Sequence, residues 1–177
     1  MKKRIILGVS GSIAAYKSCD LARMFVKNGF DVTTVLTANA CRLVTPLTFA
    51  TLTGNESYTD MWQNNNYEMG HISLKENASL LVVAPASANI IAKCAHGIAD
   101  DLLSTTFLSV SCNVLFAPAM NPAMWANAAT RDNVEILKRR GIFFCGPESG
   151  IVACGDEGNG KMSDVGKIYE SAVALIS

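Results

Sequence analysis

Residues 4–17 read RIILGVSGSIAAYK, and this stretch decides the fold. The run RIILGV (4–9) is short, and its apolar residues follow one another instead of alternating with polar ones. That pattern predicts a strand buried on both faces, as a parallel sheet requires. Ser10-Gly11-Ser12 then turns the chain, and the segment from 13 to 28 predicts a helix opening directly on the turn. Gly8, Gly11 and Ser12 fit neither the dinucleotide spacing G-x-G-x-x-G nor the Walker spacing that ends in G-K-[ST]. Two readings of the loop stay open: a phosphate held by backbone amides and hydroxyls at the helix start, or only a tight strand-to-helix turn.

The same alternation recurs down the chain. Strand-length apolar runs stand at VTTVL (32–36), LLVVA (80–84), NVLFA (113–117) and IFFC (142–145). Helical patterns fill 39–53, 87–111 and 127–140, and the last helix lies at 164–176. Strands alternating with helices predict a three-layer α/β/α fold built on a doubly wound parallel sheet, Rossmann-like or flavodoxin-like. With 177 residues, half of them hydrophobic, one domain over 1–177 is expected to bury a full core. The polar interruption WQNNNYEMGH (62–71) reads as a functional or partner-contacting loop.

Charge and cysteine usage exclude several classes. Lys plus Arg and Asp plus Glu number 15 each, so no net field favours nucleic acid or an anionic membrane. The opening MKKRIILGVSGS is too short in its apolar part for a signal peptide, and no transmembrane span appears. Six cysteines are scattered with no C-x-x-C pair and no histidine at metal spacing, so they read as reduced thiols in a cytoplasmic protein without a metal site.

In open parallel sheets, ligands sit beyond the carboxyl ends of the strands. The loops there are Ser10-Gly11-Ser12, Thr37, Pro85-Ala86-Ser87-Ala88-Asn89 and Pro118-Ala119-Met120-Asn121-Pro122. All are small, hydroxylated, amide or apolar, and none is charged. Amides and hydroxyls suit a phosphate, while apolar walls suit a flat, polar-edged ring. A mononucleotide such as FMN, or another phosphate ester, fits that description. A further stretch, VACGDEGNGKM (152–162), sets Cys154 beside two acids among three glycines, and reads as a mobile strap carrying a thiol. Asp156 and Glu157 disfavour the thiolate and keep the sulfur protonated near neutral pH.

The pieces GSIAAYK (11–17), TPLTF (45–49), GHISL (70–74), PASANIIAKCAHGIADDLLS (85–104), APAMNPAMW (117–125) and ACGDEGNGKM (153–162) together resemble the homo-oligomeric flavin-containing cysteine decarboxylases. Within that family they resemble the branch that acts on phosphopantothenoylcysteine in coenzyme A biosynthesis. The resemblance implies FMN held by Gly11, Ser12, Ile13, Thr37, Leu43, Ser87, Ala88, Asn89, Ile90 and Met120. Ile90 stands where relatives often have threonine, which leaves its backbone amide as the contact. Leu43 stands where they often have an aromatic ring, which leaves an apolar contact.

The implied chemistry creates an electron sink before carbon dioxide leaves. Flavin oxidises the thiol-bearing carbon to a thioaldehyde, decarboxylation gives an enethiolate, and hydride return with protonation closes a redox-neutral cycle. From its residue context alone His71, a lone histidine at a helix start, reads more often as a surface or capping residue, and only the resemblance of its Gly-His-Ile setting makes it the base. Asn121, biased toward extended backbone by Pro122, is assigned to the substrate carboxylate. Cys154 supplies the final proton, and Met162 adds to the substrate site. Met124 and Trp125 read as core, and His96 as structural. Partners implied are the substrate, a homotrimer or dodecamer with FMN between subunits, and a phosphopantothenate–cysteine ligase on a separate polypeptide. Two rivals remain, a flavin prenyltransferase-like enzyme and a non-catalytic regulatory relative.

Overall fold

The computed structural model describes residues 2–62, 77–151 and 155–176. His71, Cys154 and nearly all of the polar loop at 62–71 lie outside the described residues. Strand β1 (Arg4–Val9) runs between β2 (Asp31–Leu36) and β4 (Ala78–Ala86), with β3 (Ser57–Tyr58) outside β2 and β5 (Asn113–Pro118) then β6 (Phe143–Phe144) outside β4. Every neighbouring pair in this order, β3-β2-β1-β4-β5-β6, is parallel. The doubly wound sheet expected from the apolar runs is therefore the architecture, and its order reverses between β1 and β4.

Period-two alternation within β1 sends its side chains into two cores. Ile5, Leu7 and Val9 join Leu21 and Phe25 of α1 (Lys17–Lys27) and Ile168 of α8 (Val165–Ala174). Ile6 joins Leu81, Val83, Ile90, Ile91 and Leu103 in the other cluster, with α4 (Ala88–His96) and α5 (Leu102–Ser109) supplying the last three. Burial on both faces is why the strand carries no polar alternation. Phe25 also meets Phe30 edge-on and Tyr169 at a tilt, with ring centroids 5.7 and 5.3 Å apart.

Three helical patterns prove to be divided. Region 13–28 opens with a 3-10 turn at Ile13–Tyr16 before α1. Region 39–53 splits into α2 (Ala38–Cys41) and α3 (Pro46–Thr53), because Pro46 starts a new helix whose first amides are capped by Thr45. Region 87–111 breaks at Gly97, which takes φ 70° at the end of α4, and Asp101 then opens α5 through a reciprocal capping box with Ser104. The remaining helices are α6 (Pro122–Ala126) and α7 (Ala128–Arg139).

The expected mobile strap is in part a regular element. Strands β7 (Glu148–Ile151) and β8 (Glu157–Lys161) form an antiparallel pair with no counterpart in the sequence reading. The pair docks on the loop after β5: the Met120 N–H donates to the Gly160 carbonyl at 3.0 Å. A Cβ at Gly160 would overlap the Met120 carbonyl oxygen, and one at Gly158 would come within 3.0 Å of the Pro122 Cβ. These two glycines permit close backbone approach, and Gly158 and Gly155, at φ 153° and 89°, also take backbone conformations that favour glycine.

Replacing Gly160 with alanine should therefore force β8 away from Met120 and cost about 1–3 kcal/mol of stability, the usual penalty for overpacking. Thermal unfolding of the two proteins side by side checks this. An unchanged midpoint would show that the hairpin gives way freely.

Candidate active site at the reversal of the sheet

The reversal between β1 and β4 opens a cleft, and the two strand ends are fastened there by hydroxyls. Ser10 Oγ donates to the Pro85 carbonyl at 2.7 Å and accepts from the Ser87 N–H at 2.9 Å. Ser18 Oγ donates to the Ala84 carbonyl at 2.6 Å. Both serines are buried, so these bonds satisfy groups that water cannot reach. The Thr37 N–H donates to the Val9 carbonyl and the Ala119 N–H to that of Ala86, which brings the ends of β2 and β5 to the same rim.

A cavity of about 970 Å³ lies over this rim. Of the residues named from sequence, Gly11, Ser12, Ile13, Thr37, Ser87, Ala88, Asn89, Ile90, Met120, Asn121 and Met162 line it. Leu43 does not: it follows α2 with 45% of its surface exposed, and Ala38 and Asn39 form that wall instead. The Ile90 amide, expected to remain open to a ligand, donates to Ser87 Oγ at 3.4 Å. Helix capping takes it because Ser87 sits at the N-cap of α4.

The hydroxyls at the rim are arranged as donors. Ser87 Oγ and Thr37 Oγ1 accept from the helix amides of Ile90 and Ala40, so their O–H protons point to other acceptors. Ser12, at the N-cap of the 3-10 turn, makes no side-chain capping bond. The first amides of α4, at Ala88 and Asn89, have no acceptor within the helix. Gly11 lies so close to Asn39 that a Cβ would overlap the asparagine side chain. These groups are uncharged hydrogen-bond donors of the kind that can hold a phosphate, and Lys17 lines the cavity beside them.

Asn121 is fixed by both ends of its amide. Its Oδ1 accepts from the Ala123 N–H at 2.8 Å, capping α6, and its Nδ2 donates to Asp156 Oδ2 at 2.5 Å. Its backbone at φ −59°, ψ 145° has the extended geometry expected before proline. Met124, read from sequence as core, lines the cavity and is half exposed, whereas Trp125 packs inward under the Arg131 guanidinium at 5.9 Å. His96 bonds Asn133 at 2.8 Å, a structural role as expected.

Sequence reading missed the charged part of the lining. Lys93 lies one turn beyond Asn89 on α4 and bridges Asp100 at 2.6 Å and Asp101 at 2.7 Å. The i,i+4 spacing from Asn89 was the available signal. Burial raises the Asp101 carboxyl, but the Lys93 ammonium and the Ser104 donors outweigh it and hold the group below the ordinary carboxylate value. Burial lowers Lys93, and its two carboxylate partners outweigh that and raise it. Cys94, next along the helix, is pushed up to about 12 by burial and the Asp101 charge, which leaves an inert thiol. Among the described residues the cysteines are free thiols, and no cluster of metal-ligating side chains forms.

Fold and cavity together define a doubly wound α/β protein with a donor-rich ligand cavity at its sheet reversal. The Flavoprotein family model matches residues 1–177, and the chain belongs to that family. The chain is 39% identical over 173 residues to a probable phosphopantothenoylcysteine decarboxylase of Streptococcus mutans, covering 96% of this chain and 97% of that protein. It is 42% identical over 171 residues to the coenzyme A biosynthesis bifunctional protein of Bacillus subtilis, covering 96% of this chain but 42% of that protein. The chain thus spans about two fifths of the bifunctional relatives it matches. Among solved structures, a cysteine-to-serine mutant of PPC decarboxylase complexed with pantothenoylaminoethenethiol superposes with a TM-score of 0.87 at 30% identity, covering 98% of each chain. The FMN-dependent cysteine decarboxylase SpaF superposes at 0.85 and 34% identity, covering 98% of this chain and 96% of that one.

Because the folded Asp101 titrates below its unfolded value, its stabilising effect is present above the ordinary carboxylate pKa of about 4 and is lost as pH falls through the folded value. Asp101→Asn should be less stable than the parent at pH 7, and its stability should fall less steeply in acid. Urea midpoints at pH 7 and pH 3 measure both. Parallel acid limbs would refute the pairing with Lys93.

Proposed function

We propose that this chain is a flavin-dependent carboxy-lyase that binds FMN at the sheet reversal and converts 4'-phosphopantothenoylcysteine to 4'-phosphopantetheine in coenzyme A biosynthesis. The observation that carries the reading is the cavity itself, which joins phosphate-type donors to the Asn121 amide in a chain of the Flavoprotein family. FMN fits the residues present. The Ser12, Thr37 and Ser87 hydroxyls and the Ala88 and Asn89 amides are donors suited to its phosphate, the Gly11 turn gives backbone access, and Ile13 and Met120 supply apolar wall. Bound there, FMN supplies oxidation of the thiol-bearing carbon and the later return of hydride.

The chain's own groups do the rest. Asn121 orients the substrate carboxylate with a neutral amide, which does not stabilise that charge as an arginine would and so does not oppose its loss. Met162, nearly fully buried at the cavity wall, shapes the substrate end. His71 acts as the base, and Cys154 holds the proton delivered to carbon in the final reduction. Ile13 and Tyr16 line the cavity yet remain 60% and 59% exposed, which supports a neighbouring copy that covers them, and the family resemblance makes that assembly a trimer, alone or within a dodecamer. The substrate comes from a phosphopantothenate–cysteine ligase, and a cytoplasmic setting suits the free thiols. No helix among the described residues is long and apolar enough to cross a membrane.

Purified protein should show flavin absorbance and release carbon dioxide from phosphopantothenoylcysteine while leaving dimethylallyl phosphate unused. The reverse substrate preference would establish the prenyltransferase reading instead. His71→Asn should keep its flavin and lose about 100-fold or more of the decarboxylation rate, the usual contribution of a positioned base; lost flavin would make His71 a binding residue. Cys154→Ser should release carbon dioxide but accumulate an enethiol, detected by mass spectrometry. Normal phosphopantetheine output from that variant would remove the cysteine from the mechanism.

A further inference from the structure

The proposed reaction brings two phosphate esters to one cavity, FMN and the substrate, and the uncharged donors around Ser12, Thr37 and Ser87 serve one of them. A second phosphate calls for a cation, because charge-assisted hydrogen bonds hold an anion most strongly. Among the described residues, three lysines line the cavity. Lys93 is bridged by Asp100 and Asp101, and Lys17 opens α1 directly behind the Ser12 turn, beside the uncharged donors. Lys161 belongs to the hairpin wall, with Asn121 and Met162. Among the described residues it makes no ion pair. The acid that faces it in the hairpin register, Glu148, is bonded by Lys167 Nζ at 2.7 Å. That hydrogen bond leads the influences that hold the Glu148 carboxyl below its ordinary value, and the Lys161 charge comes last among them.

Gly150 sets the direction of the lysine. It lies diagonally from Lys161 on β7, and a Cβ there would stand 3.3 Å from Lys161 Cδ and 3.8 Å from its Nζ. The stem therefore crosses the bare backbone of β7. Strand β8 lies between that point and the loop carrying Asn121, since Gly160 accepts from the Met120 N–H on its other side. Neighbouring strands are about 4.8 Å apart, so the ammonium stands on the order of 10 Å from the Asn121 loop. That separation suits a molecule with an anion at each end of a flexible arm.

We infer that Lys161 holds the phosphate of the substrate, at the opposite end of the pantothenoyl arm from the carboxylate that Asn121 orients, and so selects the phosphorylated form. The inference rests on the decarboxylase reading. The phosphate stays attached and charged while carbon dioxide leaves, so an ammonium bound to it contributes equally before, during and after that step. Such uniform binding lowers KM without changing kcat. A lysine suits the task, being a compact charge on a flexible stem that can follow an anion carried on a mobile arm. Lys161 is exposed, so water screens the contact and its effect is moderate.

Lys161→Met keeps an unbranched stem and removes the charge. Parent and variant are compared on phosphopantothenoylcysteine and on pantothenoylcysteine, which lacks the phosphate. The expected result is a KM for the phosphorylated substrate raised about tenfold, kcat within about threefold of the parent, and loss of the preference for the phosphorylated form. Calorimetry should show phosphopantetheine, which carries the same phosphate, bound about tenfold more weakly. Lys161→Arg retains the charge and should restore most of the preference. A methionine variant that loses equally on both substrates gives the lysine a structural role in the hairpin, and one that loses its flavin gives it to FMN. One that matches the parent on the phosphorylated substrate shows no contact. Each of these three outcomes overturns the inference and leaves the decarboxylase reading standing. A parent protein that releases no carbon dioxide from either substrate overturns that reading and the inference with it.

Discussion

The site depends on a buried hydroxyl that ties two parallel strands together where their order reverses. Parallel neighbours diverge at their carboxyl ends when the following helices leave on opposite faces, and that divergence makes the cleft. Ser10 limits it by donating to Pro85 and accepting from Ser87, so the first turn of α4 is anchored to the end of β1. The loops that line the cavity on either side of the reversal therefore hold a set separation. With Ser10 1% exposed, no water competes for those bonds, and losing the hydroxyl would leave the Ser87 amide and the Pro85 carbonyl to find new partners.

A second constraint is steric. The β7–β8 hairpin has almost no core of its own; glycine and polar residues dominate both strands, and an isolated two-stranded ribbon is marginal in water. It is held because Gly160 lets its backbone approach Met120 and Gly158 lets it approach Pro122. The loop after β5 and the hairpin consequently form one wall, with Met120, Asn121, Gly160 and Met162 together on the cavity side. Function here draws on residues distant in sequence that are joined by the absence of side chains.

This explains what could and could not be read from the chain alone. The central strands announced themselves because burial on both faces requires unbroken apolar runs, and β1, β2, β4 and β5 fall within two residues of the expected limits. The rim loops were legible because strand ends in a parallel sheet must share one edge. The hairpin was not, since a ladder carried by ESGI and EGNGK shows no hydrophobic period, and glycine suggested freedom where the fold uses it for proximity. The divided helices were missed because the apolar pattern continues across Gly97 and Pro46, and only capping geometry separates the pieces. Leu43 shows a different limit: a position inferred from resemblance carried no physical signal of its own, and α2 turns Asn39 toward the cavity in its place.

Charge placement ties these observations together. Lys93 would offer a cationic clamp to an anion in the cavity, but Asp100 and Asp101 neutralise it; Lys17 and Lys161 also line the cavity, and the serine, threonine and backbone-amide donors at the rim are uncharged. Asn121, on the opposite wall, is an amide, and an acid stands next to it. A site that had only to grip an anionic substrate would gain from leaving the lysine unpaired or from replacing the amide with arginine. A site that must expel a carboxylate gains from the opposite arrangement, since each unit of ground-state stabilisation of that charge has to be surrendered before carbon dioxide can leave. On the proposed decarboxylase reading, the pairing of Lys93 and the neutrality of Asn121 both serve a weak hold on the group that departs.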